Sequence, residues 1–238
     1  MSAFLEEMEE SGIRTAVVMG RYAPQHDGIV LNDDIAELIQ TYPDRFVGFG
    51  SVNVANPHAA MDEVDRCWRI GFKGIAMDNP WSDPPLYNDD PKLSAIYEKC
   101  QELGLIVALT CSIYLGPDMT YSMPVHVQRV AERFPGLRIV VVHAAWPWVL
   151  PMCGVALKCT NVYLVPDFYG YLPNIPGAHH YVEAANSYLS YRLLFGTSYP
   201  VRPLGMSVKQ FKQLPFGSEQ VLARCLGENA ARLLGLSR

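Results

Sequence analysis

The residues best suited to chemistry are a histidine and a serine that follow two apolar segments. His143 comes directly after the apolar run at 139–142, and Ser198 comes shortly after a second run at 193–195. An unperturbed imidazole exchanges protons readily at neutral pH, which predicts proton transfer by His143. The Gly-x-Ser-x-Gly turn that usually exposes a nucleophilic serine is absent around Ser198. Ser198 is therefore predicted to complete the catalytic set by hydrogen-bonding the substrate.

Other candidates lie at or just beyond the ends of apolar segments. Asp167 follows the segment at 162–165 and is the carboxylate expected nearest to His143. Arg21 and Arg202 could each bind a substrate carboxylate through two parallel hydrogen bonds, with a surface arginine as the equal alternative. The other predicted substrate-binding residues, which could instead cap loops or pack the rim of the fold, are Asp78, Thr110, Tyr121, Trp146 and Tyr199.

Structural roles remain open for several of these side chains. His143 could be a buried, hydrogen-bonded core histidine, and Ser198 and Thr110 could be inert. Histidines that fall in loops or at helix starts are expected to be solvated, and these are His26, His58 and His126.

The candidates depend on elements that alternate in type along the chain. Apolar runs without alternation predict strands buried on both faces, and apolar residues at helical spacing predict the helices between them. The predicted strands are 15–19, 46–52, 73–77, 105–111, 138–143, 162–165 and 193–195. A strand–helix unit of about 30 residues predicts a parallel sheet with right-handed crossovers. About seven such units favour a TIM-like (β/α) barrel without its first strand, with the chemistry at the carboxyl ends of the strands.

Length and composition limit the function classes. The chain has 238 residues, 50% of them hydrophobic, which predicts a single α/β domain over 1–238. A formal net charge of −5 and scattered basic residues argue against nucleic acid as a partner. The sequence has no apolar run near the ~20 residues that span a bilayer and no signal-peptide pattern, so we expect no membrane partner and a cytoplasmic location. Six cysteines without CxxC spacing predict reduced, buried thiols.

Seven short segments resemble the amidohydrolase-related family of TIM-barrel metal-dependent hydrolases, which includes aminocarboxymuconate-semialdehyde decarboxylase and related aromatic-acid decarboxylases. The segments are 7–13, 42–48, 71–75, 133–140, His143 with its Trp-Pro, 195–200 and 228–234. The resemblance implies a TIM barrel and a hydrolase or lyase acting on a small organic molecule. It also implies that His143 hydrogen-bonds the substrate or a metal-bound water.

The same resemblance reveals departures at the family's metal-ligand positions. The family's first strand carries a His-x-His pair, and this sequence begins after that strand. Thr110 stands where a histidine ligand is usual, and Ser198 stands where an aspartate serves as ligand and often as general base. A catalytic divalent ion needs about three imidazole, thiolate or carboxylate ligands, so we predict no metal and no other cofactor at the strand ends. His179 and His180 are not expected to substitute, because adjacent helical side chains point apart.

Two functions remain open from the sequence. One is an enzyme for a small carboxylated or cyclic substrate, with His143 as general acid or base and arginines as anchors. The other is a non-catalytic relative that binds a ligand or a partner protein, and fold alone does not separate the two. A segment upstream of Met1 that carries the first strand is a further possibility. Without that strand the sheet edges are unpaired, which predicts a homo-oligomer.

Overall fold

The computed structural model describes residues 1–236 as an alternation of helices and strands. In chain order the elements are α1 (Ser2–Glu10), β1 (Ala16–Met19), β2 (Arg21–Ala23), β3 (Gly28–Val30), α2 (Asn32–Thr41), β4 (Phe46–Ser51), α3 (Pro57–Arg69), β5 (Gly74–Met77), α4 (Ser94–Glu102), β6 (Ile106–Thr110), α5 (Pro124–Arg133), β7 (Ile139–Val142), α6 (Val149–Lys158), β8 (Val162–Val165), α7 (Phe168–Tyr171), α8 (His179–Ala185), α9 (Leu204–Lys212), α10 (Glu219–Ala223) and α11 (Asn229–Leu234). Short 3-10 turns lie at Asn79–Trp81, Pro91–Leu93, Met119–Ser122 and His143–Ala145, and a π-helical turn at Arg224–Glu228. Within 1–236, no helix combines the length and apolar content needed to cross a bilayer.

Six strands form one parallel sheet in the order β1-β4-β5-β6-β7-β8. The sheet curls into a half-barrel with helices around it, which confirms the predicted TIM-like α/β fold. Thr110 at the end of β6 lies opposite Val142 at the end of β7. Since all six strands run in the same direction, their carboxyl ends share one edge of the sheet, where the candidate residues were predicted.

The strand predicted at 193–195 is reduced to a single bridge between Leu193 and Leu164. Beyond it, the hydroxyl group of Tyr171 donates to the carbonyl oxygen of Gly196 at 3.2 Å, so a side chain takes the place of a strand partner. The chain then turns at Ser198, whose φ is 54°. The strand predicted at 193–195 is therefore confirmed only as a one-residue parallel bridge to β8. The antiparallel hairpin of β2 and β3 was not predicted.

Both faces of the sheet are covered, which explains the apolar runs without alternation. Every residue of β4, β5 and β6 is buried. On the outer face, Val107, Leu109 and their neighbours pack against the surrounding helices. On the inner face, Ile106 and Val140 belong to a cluster with Leu233 of α11. The C-terminal helix thus packs against the inner face of the curled sheet.

The six cysteines are free and buried, as the sequence predicts. Burial raises the pKa of the thiols, that of Cys225 to about 12. A neutral thiol is neither a nucleophile nor a metal ligand, so these residues act as small apolar side chains.

Close packing at Gly50 in β4 predicts a large effect for one added methyl group. A Cβ atom at Gly50 would overlap Sγ of Cys67 and lie 3.0 Å from the ring of Phe72. We expect Gly50→Ala to lower the free energy of unfolding by about 1–3 kcal/mol in urea denaturation. The control is Gly154→Ala in α6, where the methyl group meets nothing within 4 Å. There the loss of a helical glycine should stabilise the protein by about 0.5–1 kcal/mol. Equal stability of the two variants would contradict this packing.

Candidate active site

His143 and Asp167 meet at the carboxyl edge of the sheet. They follow the neighbouring strands β7 and β8, and Nδ1 of His143 lies 2.5 Å from Oδ2 of Asp167. The side chains are 18% and 2% exposed, so the imidazole reaches solvent and the carboxylate does not. The two atoms approach closely without the geometry of a well-directed hydrogen bond. A carboxylate in this position orients the imidazole and leaves Nε2 to exchange a proton.

The backbone that carries this pair is strained. The three residues His143–Ala145 have φ of 62°, 45° and 57°, and Asp167 and Ser198 have φ of 47° and 54°. A left-handed conformation at a residue other than glycine costs on the order of 1–3 kcal/mol and concentrates at functional sites. The hydroxyl group of the buried Tyr181 donates to the carbonyl oxygen of Ala144 at 2.9 Å and so stabilises the turn at His143–Ala145. Three of these residues, His143, Asp167 and Ser198, are the predicted catalytic ones, which favours a functional role for this edge.

Aromatic side chains form a wall beside the pair. The rings of Trp146 and Tyr169 stack with centroids 4.9 Å apart and planes 9° apart. The imidazole of His143 lies 5.8 Å from the ring of Tyr169 and 6.1 Å from that of Phe168. Burial raises the pKa of Tyr169, so its hydroxyl group is a neutral donor at physiological pH. Flat apolar surfaces next to a proton-transfer group suit a planar substrate.

Neutral hydroxyl groups also lie near the carboxyl ends of the strands. Thr110 ends β6 and is buried, and Ser112 two residues later is also buried. Ser198 is partly exposed on the segment that follows Leu193. That segment lies close to the acid of the pair, because a Cβ atom at Gly196 would be 3.6 Å from Cβ of Asp167. The structure therefore brings the turn that carries Ser198 towards Asp167.

Arg21 and Asp78, both predicted to bind the substrate, contact each other. Nε of Arg21 lies 3.3 Å from Oδ2 of Asp78, and its Nη1 lies 2.5 Å from Oδ2 of Asp27. The guanidinium group also lies 5.3 Å above the ring of Trp81. Two carboxylates already neutralise Arg21, which makes it a poor anchor for a third. The contact instead fastens the β2–β3 hairpin to the loop after β5.

Arg202 has no carboxylate partner in residues 1–236. Its Nη2 contacts Sδ of Met206 at 3.1 Å and Oε1 of Gln210 at 3.2 Å, while Nε is buried without a hydrogen-bond partner in residues 1–236. Burial raises the pKa of Tyr171 to about 12, an effect that a hydrogen bond with Ser207 and the charge of Arg202 partly offset. Arg202 follows Ser198 on the same segment, so it lies on the side of the site that carries Ser198.

Two aromatic candidates are farther out. Tyr199 is 46% exposed, and its ring lies 4.6 Å from that of Phe4. Tyr121 stacks on Tyr87, with centroids 4.1 Å apart. Within residues 1–236, the rings that contact His143 are those of Phe168 and Tyr169, and the structure does not bring Tyr121 or Tyr199 to it.

The structure contains a second histidine–aspartate pair that the sequence did not predict. His126, predicted to be solvated, has a side chain that is only 12% exposed, and its Nδ1 lies 2.6 Å from Oδ1 of Asp89. Burial raises the pKa of Asp89, but hydrogen bonds and charges from Arg129 and His126 outweigh this effect and lower it. His26 is exposed, as expected, and its ring stacks on that of Trp81 with centroids 5.5 Å apart. His58 is exposed, as expected.

The donor set that residues 1–236 place at the strand ends does not fit a catalytic divalent ion. His143 and Asp167 supply one imidazole and one carboxylate that already contact each other, and Asp78 is paired with Arg21. Thr110 and Ser198 offer only neutral hydroxyl groups, whereas such an ion needs about three nitrogen, sulfur or carboxylate ligands.

The one group of three metal-capable side chains found within residues 1–236 lies on α8, at His179, His180 and Glu183. The expectation that His179 and His180 point apart was wrong, since their ring centroids are 3.9 Å apart. They occupy the first turn of α8, where His180 turns towards Glu183.

Known proteins resemble this chain over most of its length. A family model described as amidohydrolase matches residues 1–236. The 2-amino-3-carboxymuconate-6-semialdehyde decarboxylase of Dictyostelium discoideum is 26% identical over 267 residues, which cover 92% of this chain and 70% of that protein. An uncharacterized TIM-barrel protein from Bordetella bronchiseptica is 36% identical with a TM-score of 0.93, covering 99% of this chain and 82% of the other. The 2,6-dihydroxybenzoate decarboxylase from Rhizobium has a TM-score of 0.79 at 20% identity, covering 99% and 88%.

Proposed function

Because the chain belongs to the amidohydrolase family, we propose that it is a lyase that decarboxylates a small, planar aromatic acid. The observation that carries the proposal is the His143–Asp167 pair beside the stacked rings of Trp146 and Tyr169. The names of two relatives, which are decarboxylases of small carboxylated compounds, support this substrate class.

His143 is the proton donor in this proposal. Protonated at Nε2 and oriented by Asp167, it delivers the proton to the ring carbon that bears the carboxylate, and the ring supplies the electron pair for the new C–H bond. The C–C bond to the carboxylate then breaks, its electron pair restores the aromatic ring, and CO₂ leaves. Water reprotonates the imidazole. A hydroxyl group next to the carboxylate favours the step, because it raises the electron density of the ring.

The same pair could serve hydrolysis of a cyclic substrate. Neutral His143 would then remove a proton from an attacking water molecule, and Asp167 would stabilise the resulting imidazolium. Decarboxylation remains the preferred proposal because the aromatic wall matches the ring of an aromatic acid.

The remaining site residues bind the substrate in this proposal. Arg202, whose guanidinium group contacts no carboxylate in residues 1–236, is the anchor for the carboxylate or a ring hydroxyl group. Ser198 and Thr110 donate hydrogen bonds, and Trp146 stacks on the ring. Tyr121 and Tyr199 border the entrance, and Arg21 and Asp78 hold the hairpin that bounds it.

The test is an assay of CO₂ release from hydroxylated benzoates, beginning with 2,6-dihydroxybenzoate. We expect turnover with a benzene-diol product, and in D₂O one deuterium at the carbon that lost the carboxylate. The hydroxyl groups at Thr110 and Ser198 also favour a second candidate, a non-catalytic binding protein. Binding of these acids by calorimetry without any CO₂ release would support that candidate and contradict the lyase.

Assembly and location remain proposals as well. We propose that residues 1–238 form one domain and that the chain is a homo-oligomer in the cytoplasm. In the described part of the chain β1 pairs only with β4, and its Val17 is 38% exposed, so one sheet edge is open to association. A light-scattering mass near 26.6 kDa, that of one chain, would contradict the oligomer.

A further inference from the structure

Three metal-capable side chains meet on the first turn of α8, away from the strand ends. One ligand atom from each of His179, His180 and Glu183 lies within 4.8 Å of the others. Nδ1 of His180 is 2.8 Å from Oε2 of Glu183. Glu183 comes four residues after His179 and three after His180, the two spacings that place helical side chains on one face. Sequence spacing and observed contacts thus agree on a shared site.

We infer that His179, His180 and Glu183 bind Zn²⁺ or a similar divalent transition-metal ion. Two imidazoles and one carboxylate form a donor set that suits such ions, and carboxylate-only clusters do not match it. Bond lengths of about 2.0–2.1 Å put the ligand atoms of a tetrahedral ion about 3.3 Å apart, so small side-chain rotations close the site. The ion replaces the hydrogen bond between His180 and Glu183.

Access and coordination number are consistent with a reversible site. His179 and Glu183 are exposed, and the side chain of His180 is 29% exposed, so an ion enters without any backbone movement. Three protein ligands leave a fourth position for water or a small anion. The site differs in this respect from structural zinc sites, which are closed by four protein ligands.

The consequence of metal binding follows from what α8 holds in place. No side chain caps the N-terminus of this helix at Ala178, and the ion would tie its first residue to its fifth. Tyr181, between the two histidines and Glu183, is buried and donates to Ala144 in the strained turn after β7. A metal ion on α8 therefore stabilises the helix that supports the turn carrying His143.

The test is calorimetric titration of the full-length, metal-free protein with ZnCl₂ at neutral pH. We expect one Zn²⁺ per chain, at least ~100-fold weaker binding by His179→Ala/His180→Ala, and weaker binding by Glu183→Gln. At zinc about 100-fold above its Kd, the Tm of the wild-type protein should rise by about 5–10 °C. The matched control is His58→Ala, which removes an exposed histidine from the same position of another helix, the second residue of α3, and should bind as the wild type does.

Two results would overturn the inference. One is equal zinc affinity in the wild-type protein and the double variant. The other is loss of binding in His143→Gln with the α8 histidines intact, which would place the ion at the strand ends. Because zinc alone is the probe, these results are independent of whether the decarboxylase proposal holds.

Discussion

Replacing His143 by glutamine is expected to lower kcat for decarboxylation by about 10²–10⁴-fold, the usual contribution of a general acid. Glutamine keeps a polar side chain at the strand end but has no group that exchanges a proton near neutral pH. KM should change little, because the anchoring residues remain. The measurement is steady-state CO₂ release by the wild type and the variant on the same aromatic acid.

His126→Gln is the matched control for this prediction. The Nδ1–carboxylate distance is 2.6 Å in the pair of His126 and 2.5 Å in that of His143, so the variant removes a very similar contact. His126 lies on α5 and not at a strand end. Its kcat should stay close to the wild-type value. Equal losses in both variants would mean that His143 acts only through packing.

Asp167→Asn is expected to lower kcat by about 10²–10⁴-fold while leaving the fold intact. Asparagine has nearly the same volume but no charge to stabilise the imidazolium of His143, and it no longer fixes which imidazole nitrogen carries the proton. The variant retains a side-chain oxygen for the backbone N–H of Tyr169, which Asp167 accepts at 3.4 Å at the start of α7. The measurements are kcat and the thermal unfolding midpoint.

The corresponding control is Asp89→Asn. It removes the partner of His126 and of Arg129, so it should reduce stability more than activity. A fully active Asp167→Asn would show that the carboxylate of Asp167 is structural, and the proposed proton transfer would then lack its supporting charge.

The central pair could be predicted from the sequence because strand ends are local features. Apolar runs before His143 and Asp167 mark two strands that are consecutive in sequence, and consecutive parallel strands are usually neighbours in the sheet. Their carboxyl ends then lie side by side, as β7 and β8 do. Nothing more than strand assignment was needed to place these two residues together.

Features that depend on loop conformation could not be predicted. Arg21 meets Asp78 across 57 residues of sequence and His126 meets Asp89 across 37, and no periodic pattern encodes either contact. Positive φ at alanine also has no signal in the sequence, since glycine is the residue that predicts it.

A double-mutant cycle at His143 and Asp167 tests the central claim most directly. The rates needed are kcat/KM for the wild type, His143→Gln, Asp167→Asn and the double variant on one aromatic acid. If the two residues act as one proton-transfer unit, Asp167→Asn lowers the rate steeply in the wild-type background and has almost no effect once His143 is gone. A loss of kcat/KM in the double variant equal to the product of the two single losses would contradict the account. It would mean that each residue contributes independently of the other.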